Sequence, residues 1–129
     1  TGNTYSFLVD FGSGDDVIRV FIQTSASEAP AGFPPIEELN KRKVDLAILC
    51  YASTPHVSRY PQAIVERTGV RKVMLVHWED FFRHSKSFAD QKLVRGTKPN
   101  KVRQRIDQLK KPKSDLLMPK PGTLVNVRY

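Results

Sequence analysis

Two short apolar segments joined by a predicted helix place the strongest limit on the fold. Residues 45–50 form a nearly uninterrupted apolar run and residues 70–76 form a second segment of strand length; such runs are typical of strands that are buried on both faces. Between them, Pro61 begins a predicted helix over residues 62–67 and Gly69 ends it. This order predicts parallel strands with a helical crossover, and therefore an α/β fold.

A β-hairpin is predicted ahead of these two strands. Aromatic and β-branched residues fill segments 5–11 and 17–22, and two glycines lie in the turn over residues 12–16. A loop follows, and Pro35 then precedes a predicted helix that carries Ile36 and Leu39.

The carboxyl-terminal part is predicted to contain one more helix and one more strand. Asn100 is predicted to cap a helix that runs to about residue 111, with Val102, Ile106 and Leu109 on one face. After two prolines and a glycine, residues 123–128 have the pattern of a final strand. We predict that residues 1–129 form a single unit.

The net charge of +8 belongs to the second half of the chain. Residues 1–70 hold six basic and eight acidic residues (6 − 8 = −2), whereas residues 71–129 hold fifteen and five (15 − 5 = +10). The cations are densest over residues 98–113, where they are expected to form the solvated side of the amphipathic helix. Binding of nucleic acid by this stretch is the less favoured alternative, because no aromatic residues are interleaved to stack on bases.

Several protein classes are excluded by the composition. No apolar run approaches the roughly 20 residues of a membrane span, and no signal peptide is visible, so we expect a soluble protein of unknown compartment. The single cysteine, Cys50, excludes an internal disulfide and a multi-cysteine zinc site. Cys50 is expected to be a buried structural thiol rather than a nucleophile.

The strongest chemical signal is His77, which follows the predicted strand 70–76 and begins the segment His-Trp-Glu-Asp-Phe-Phe. In α/β folds, ligands bind beyond the carboxyl ends of the strands. From its position alone, His77 is either a metal ligand or a partly buried histidine that is satisfied by a backbone carbonyl. Glu79 and Asp80 are expected either to orient His77 or to cap the following segment.

This segment resembles the carboxyl-terminal metal-ligand motif of the metallo-β-lactamase-fold hydrolases. The strand at residues 45–49, the closing Pro-Lys-Pro-Gly at residues 119–122 and the initial hairpin are also similar to that family. The resemblance covers nearly the whole chain but only the carboxyl-terminal half of the family's αββα sandwich, with a mixed sheet and flanking helices. It implies that His77 is a metal ligand, that zinc or another divalent metal is the cofactor, and that one or two ions bind in the complete domain.

The sequence departs from the family in two respects. It lacks the His-x-His-x-Asp-His cluster that supplies most of the zinc ligands, and Ser25 stands where the family has a metal-bridging aspartate. His56 and His84 do not match ligand positions and are expected at the surface. A serine hydroxyl is a poor zinc ligand.

These features lead to two functional hypotheses. The first is the carboxyl-terminal part of a metal-dependent hydrolase of small molecules, which supplies one metal-ligand histidine and is inactive without an amino-terminal half or a second chain. The second is a non-catalytic half-domain that acts as a binding or scaffold module, with nucleic acid as a conceivable partner of residues 98–113.

Overall fold

A five-stranded mixed sheet organises the chain in the computed structural model, which describes residues 4–87, 90–109 and 113–128. The elements are, in chain order, β1 (Ser6–Phe11), β2 (Ile18–Gln23), α1 (Ile36–Lys41), β3 (Leu46–Cys50), α2 (Gln62–Thr68), β4 (Lys72–Val76), α3 (Pro99–Asp107) and β5 (Asp115–Leu117). The strands lie side by side in sequence order; β1 is antiparallel to β2, and every later pair is parallel. The predicted α/β class and mixed sheet are confirmed.

The hairpin is confirmed with strand bounds within one residue of those predicted, and its turn contains a short 3-10 segment, Gly14–Asp16. Gly12 has a φ of +104°, and a Cβ at this position would lie 2.7 Å from the carbonyl oxygen of Asp16. The turn therefore requires glycine for two reasons, the backbone conformation and the close approach of the chain.

One face of the sheet forms the main core. Phe21, Ala47, Leu49, Val73 and Leu75 occupy alternating positions on β2, β3 and β4, and each is at most 1% exposed. Helices α2 and α3 cover this face with their apolar residues; these are Ile64, Val65, Val102 and Ile106. The predicted apolar stripe is thus confirmed for Val102 and Ile106, and Leu109 packs against the same core from beyond the end of the helix.

The opposite face carries an apolar row that crosses all five strands. Phe7, Ile22, Ile48, Met74 and Leu117 are successive cross-strand partners; we call them the outer apolar row. Phe7 is 49% exposed, and the other four are only partly buried. The sheet therefore has one well-packed face and one apolar face that the described residues cover incompletely.

The carboxyl-terminal segment crosses this outer face without forming the strand that the sequence pattern predicts. Residues 123–128 have no strand pairing within the described part of the chain. The backbone carbonyls of residues 126–128 instead accept hydrogen bonds from Nζ of Lys72 at 2.8–3.2 Å. Leu124 is 98% exposed, although its neighbours suit a strand.

The fifth strand is formed instead by β5, which the sequence pattern does not indicate. The hydroxyl of Ser114 donates to the carbonyl of Val70 at 2.7 Å, and the amide of Asp115 donates to the carbonyl of Arg71 at 2.6 Å. These two bonds place β5 beside β4, so that the position next to β4 is already filled before the chain reaches residue 123.

Helix α3 also differs from its predicted bounds. It begins at Pro99, preceded by Lys98 as the capping residue, so Asn100 lies inside the first turn and is not the cap. Proline suits this position because the first-turn amides of a helix have no intrahelical acceptor. The helix ends at Asp107, and residues 110 and 111 of the predicted helix lie outside the described residues.

Among the described residues, none of the helices has the length and apolarity that a membrane crossing requires.

Arg19 joins the hairpin to the rest of the fold. Its guanidinium donates to both carboxylate oxygens of Asp10 at 2.6 and 2.7 Å, and to the carbonyls of Glu38 and Arg42. Its amide donates to the carboxylate of Asp45 at 2.7 Å. Arg19 is only 6% exposed. Its charge-assisted hydrogen bonds link β1 to α1 and to the residue that precedes β3.

We predict that Asp10→Asn lowers the free energy of unfolding at neutral pH. The hydrogen bond from Arg19 is the main cause that holds the pKa of Asp10 below its usual value of 3.8. A group whose pKa is lower in the folded state stabilises the fold at pH values above its pKa in the unfolded state. This stabilisation is lost as the pH falls through the folded-state pKa. Asp10→Asn should therefore lose less stability than the wild type between about pH 5 and about pH 2.

Urea unfolding at a series of pH values checks this prediction. Asp15→Asn is the matched control, because Asp15 is exposed and its side chain makes no hydrogen bond within the described residues. Identical pH dependence in Asp10→Asn and the wild type would contradict the assigned role of the Arg19–Asp10 pair.

Candidate functional site

His77 is the first residue after β4, and the chain turns sharply there. Its φ is +56°, in the left-handed region that side chains other than glycine rarely adopt. The sheet ladder continues up to this point, since the amide of Tyr51 donates to the carbonyl of Val76 at 2.8 Å. The turn leaves the imidazole exposed at the carboxyl edge of the sheet, where ligands of α/β proteins bind.

The His77 ring is held by two neighbours. Its Nδ1 lies 3.6 Å from Sγ of Cys50, a side chain that is only 3% exposed, and its plane stacks on Phe81 with ring centroids 5.4 Å apart and 8° between the planes. In the tautomer with the proton on Nδ1, the sulfur is the acceptor and Nε2 keeps its lone pair. That tautomer leaves Nε2 available to bind an electrophile or a metal ion.

His77 borders an apolar pocket of about 490 Å³. Ala52 and Val94 line this pocket together with Phe81 and Phe82 of the motif, and Arg95 lies at its rim. Phe82 is 90% exposed. Pockets of this size and apolar lining suit small organic ligands.

A second pocket of about 420 Å³ lies on the other side of His77. It is bounded by Met74 and Val76 on the outer face of the sheet and by residues 123–125 of the carboxyl-terminal segment. The imidazole therefore stands between the apolar pocket and the outer face, and is accessible from both.

Trp78 anchors the segment that follows His77. The indole is buried, at 8% exposure, and its Nε1 donates to the carbonyl of Pro119 at 3.1 Å. The carbonyl of Trp78 accepts from the amide of Val94, and the amide of Asp80 donates to the carbonyl of Lys92. Residues 78–80 are thus fixed against residues 92–94 on one side and against Pro119 on the other.

Of the two roles considered for Asp80, capping is confirmed. Its Oδ1 accepts from the amide of Phe82 at 3.2 Å, and its carbonyl accepts from the amide of Arg83 at 3.0 Å. Its other carboxylate oxygen lies 3.8 Å from Nε of Arg95. The side chain of Asp80 is 8% exposed, and these contacts fix the turn that carries Phe81 and Phe82.

The other candidate ligands do not join His77. Ser25 follows β2 by two residues, so it lies at the same edge of the sheet, but β3 separates its strand from β4. His56 and His84 are exposed, as expected. Within residues 4–87, 90–109 and 113–128, no group of three or more His, Cys, Asp or Glu side chains is arranged to hold a metal ion. At the edge of the sheet where His77 lies, the described residues therefore supply one imidazole, and they do not form a zinc site by themselves.

The contact between Cys50 and His77 is the part of the site that the sequence analysis missed. The two residues are 27 positions apart, and Cys50 was interpreted as a purely structural thiol. The sequence does contain a signal for this contact. When the two parallel strands are paired, Cys50 lies opposite Val76, and His77 follows Val76 directly, so the two side chains end at the same edge. The alternative that a backbone carbonyl satisfies His77 is wrong within the described residues, where Cys50 is the partner of Nδ1.

The basic stretch is also less uniform than expected. Arg103 donates to the carbonyls of Ser114 and Leu116, and Arg105 donates to the carbonyls of Thr54 and Tyr60. Arg103 thereby holds β5 and Arg105 the loop after β3 against α3, so the expectation of a wholly solvated basic side is wrong for them. Lys110 and Lys111 lie outside the described residues.

No family model, curated protein or solved structure matches this chain. The functional argument therefore depends on the motif at residues 77–82 and on the geometry around His77.

We predict that Trp78→Phe lowers the free energy of unfolding by about 1–3 kcal/mol, because the mutation removes a buried hydrogen bond and leaves part of the indole volume empty. Amide exchange should increase over residues 119–128, since the carbonyl of Pro119 loses its donor. Phe82→Leu is the control within the same motif, and its effect should stay within about 0.5 kcal/mol because Phe82 is exposed. Equal losses in both variants would contradict the anchoring role of Trp78.

Proposed function

We propose that this chain is the carboxyl-terminal part of a metal-dependent hydrolase of the metallo-β-lactamase fold, and that His77 is one ligand of its metal. The observation that carries the proposal is the exposed imidazole at the end of β4, with Nδ1 beside Sγ of Cys50. In the tautomer that is protonated on Nδ1, Nε2 is free to bind a metal ion. Ligating histidines in metalloproteins typically have one nitrogen on the metal and the other engaged by the protein. Zinc is the expected metal, since a neutral imidazole is among its preferred ligands.

The remaining ligands are proposed to come from a different polypeptide segment. A catalytic zinc ion needs about three protein ligands and an open position, and the described residues bring one. The outer apolar row supports such a composite site, because an incompletely covered apolar sheet face stabilises a fold when it packs on another layer. His77 lies next to this face through the pocket that it shares with Met74 and Val76. The chain alone is therefore expected to be inactive.

The proposed substrate is a small molecule with an ester, amide or phosphoester bond. The apolar pocket beside His77 has room for an organic group of moderate size. Phe81 both stacks on the imidazole and lines the pocket, so a group bound there would lie directly against the proposed metal ligand. Nothing in the lining selects among the three kinds of bond.

We predict that the protein expressed from its complete reading frame binds one or two zinc, iron or manganese ions, and that His77→Ala loses at least one of them. Removal of a ligand leaves the remaining protein donors too few to hold the ion tightly. Elemental analysis after gel filtration measures the metal content. His56→Ala and His84→Ala are matched controls, because both side chains are exposed and match no ligand position.

Three outcomes of the metal analysis would overturn the proposal. They are a complete protein without bound metal, unchanged metal content in His77→Ala, and an equal loss in the His56 or His84 control. A reading frame without a His-x-His-x-Asp-His cluster would equally contradict it. The chain would then be better described as a non-catalytic half-domain with a binding role.

A further inference from the structure

A small polar pocket lies where the loop after β3 meets the beginning of α3. Its volume is about 160 Å³, equal to about five water molecules at liquid density. Thr54 lines it from the loop, Gly96 from the segment before the helix, and Lys98, Lys101 and Arg105 from the helix and its cap. Three cations line this pocket, and no acidic side chain among the described residues does, so its electrostatic potential favours an anion.

Arg105 gives the pocket a fixed shape. One of its guanidinium nitrogens donates to the carbonyls of Thr54 and Tyr60, each at 3.0 Å. These bonds attach the loop after β3 to the helix and hold a positive charge at the pocket wall. The two lysines are exposed and can move towards a bound group, whereas the wall that contains Arg105 is fixed in advance.

Thr54 is the second, independent sign of a ligand. The residue is only 2% exposed, yet its hydroxyl makes no hydrogen bond within the described residues, where its amide and carbonyl are both bonded. Thr54 Oγ1 is not one of the fully enclosed polar atoms that lack a partner in the described part of the chain, so this hydroxyl is accessible from the pocket. A bound oxyanion in this pocket would supply the missing acceptor.

The first turn of α3 adds to the same effect. The helix is nine residues long, and Lys98 and Lys101 flank its amino-terminal end. The helix dipole favours negative charge at this end, while Pro99 has no amide hydrogen and the amide of Lys101 already donates to the carbonyl of Lys98. Cavity, cations, helix terminus and unpartnered hydroxyl therefore converge on one place.

We propose that this pocket binds a phosphate group, carried either by a small phosphomonoester or by a nucleic-acid backbone. Tetrahedral oxyanions accept several hydrogen bonds at once, here from the lysine ammonium groups and the Thr54 hydroxyl. The same two loops line the pocket beside His77, through Ala52 and Arg95, so the phosphate group would bind next to the proposed hydrolase site. The inference does not depend on the hydrolase function, because it uses none of the residues around His77.

The test is a titration of the chain with inorganic phosphate at constant ionic strength, followed by the backbone amide signals of Thr54, Gly96 and Lys101 in two-dimensional NMR spectra. We expect saturable shifts at these amides. The double variant Lys98→Ala/Lys101→Ala should weaken phosphate binding about tenfold or more, because it removes two charge-assisted hydrogen bonds. Thr54→Val, which keeps the shape of the side chain, should weaken it about threefold to tenfold.

Lys43→Ala and His77→Ala are the controls. Lys43 is an exposed lysine that precedes β3, at the opposite end of that strand from Thr54. Its replacement lowers the net charge by one, whereas the double variant lowers the net charge by two. Both control variants should bind phosphate as the wild type does. A normal phosphate titration in His77→Ala would also separate this inference from the metal site.

Competition experiments distinguish the two sources of phosphate. Glycerol phosphate and a single-stranded oligonucleotide are each tested for displacement of inorganic phosphate. Displacement by glycerol phosphate alone indicates a small phosphomonoester, whereas stronger displacement by the oligonucleotide with steep salt dependence indicates a nucleic-acid backbone.

Several results would overturn the inference. They are amide shifts that do not saturate, equal weakening in Lys43→Ala and in the double variant, and oligonucleotide binding that phosphate does not displace. Retention of the wild-type spectrum away from the pocket in each variant verifies that the fold is intact.

Discussion

The parallel pairing of β3 with β4 is the constraint on which the rest of the structure depends. Its register runs from Leu46 opposite Lys72 to Cys50 opposite Val76, and its buried face carries side chains that are fully removed from water. Burying such an aliphatic side chain stabilises the fold by about 1.5–3 kcal/mol. Because the register is fixed by this burial, the two strands end together, and Cys50 and His77 meet at the same edge.

The loops beyond that edge take their positions from the same pairing. The loop after β3 supplies Ala52 and Thr54, and Arg105 attaches it to α3. The segment after β4 is held by Trp78 and Asp80. Two pockets of different character result, one apolar beside His77 and one basic beside α3. The proposed organic substrate and the proposed phosphate group would therefore bind at neighbouring parts of one sheet edge.

The elements of the fold that could be predicted are those that are marked by a pattern of neighbouring residues in the sequence. The hairpin, the two central strands and the three helices are marked by apolar periodicity together with glycine and proline at their ends. The position of His77 at a strand end follows directly from this pattern. Its partner Cys50 does not, because the contact needs the register of two strands and not only their existence.

The identity of the last strand could not be predicted, because it depends on tertiary contacts. Residues 123–128 have the better strand pattern, yet the bonds from Ser114 to Val70 and from Asp115 to Arg71 place β5 beside β4 first. The anchoring roles of Arg103 and Arg105 are equally tertiary, since a basic helix side has the same sequence pattern whether its arginines are solvated or bound to carbonyls.

The central claim is that His77 completes a metal site together with a segment that covers the outer face of the sheet. A crystal structure of the protein expressed from its complete reading frame, with crystals grown in the presence of zinc, tests both the ligation by His77 and the covering of the outer face. We predict a zinc ion about 2.0–2.1 Å from Nε2 of His77, Sγ of Cys50 still beside Nδ1, and the outer apolar row buried against a second sheet. An unliganded His77, or an outer apolar row that remains open beside a metal bound elsewhere, would contradict the account.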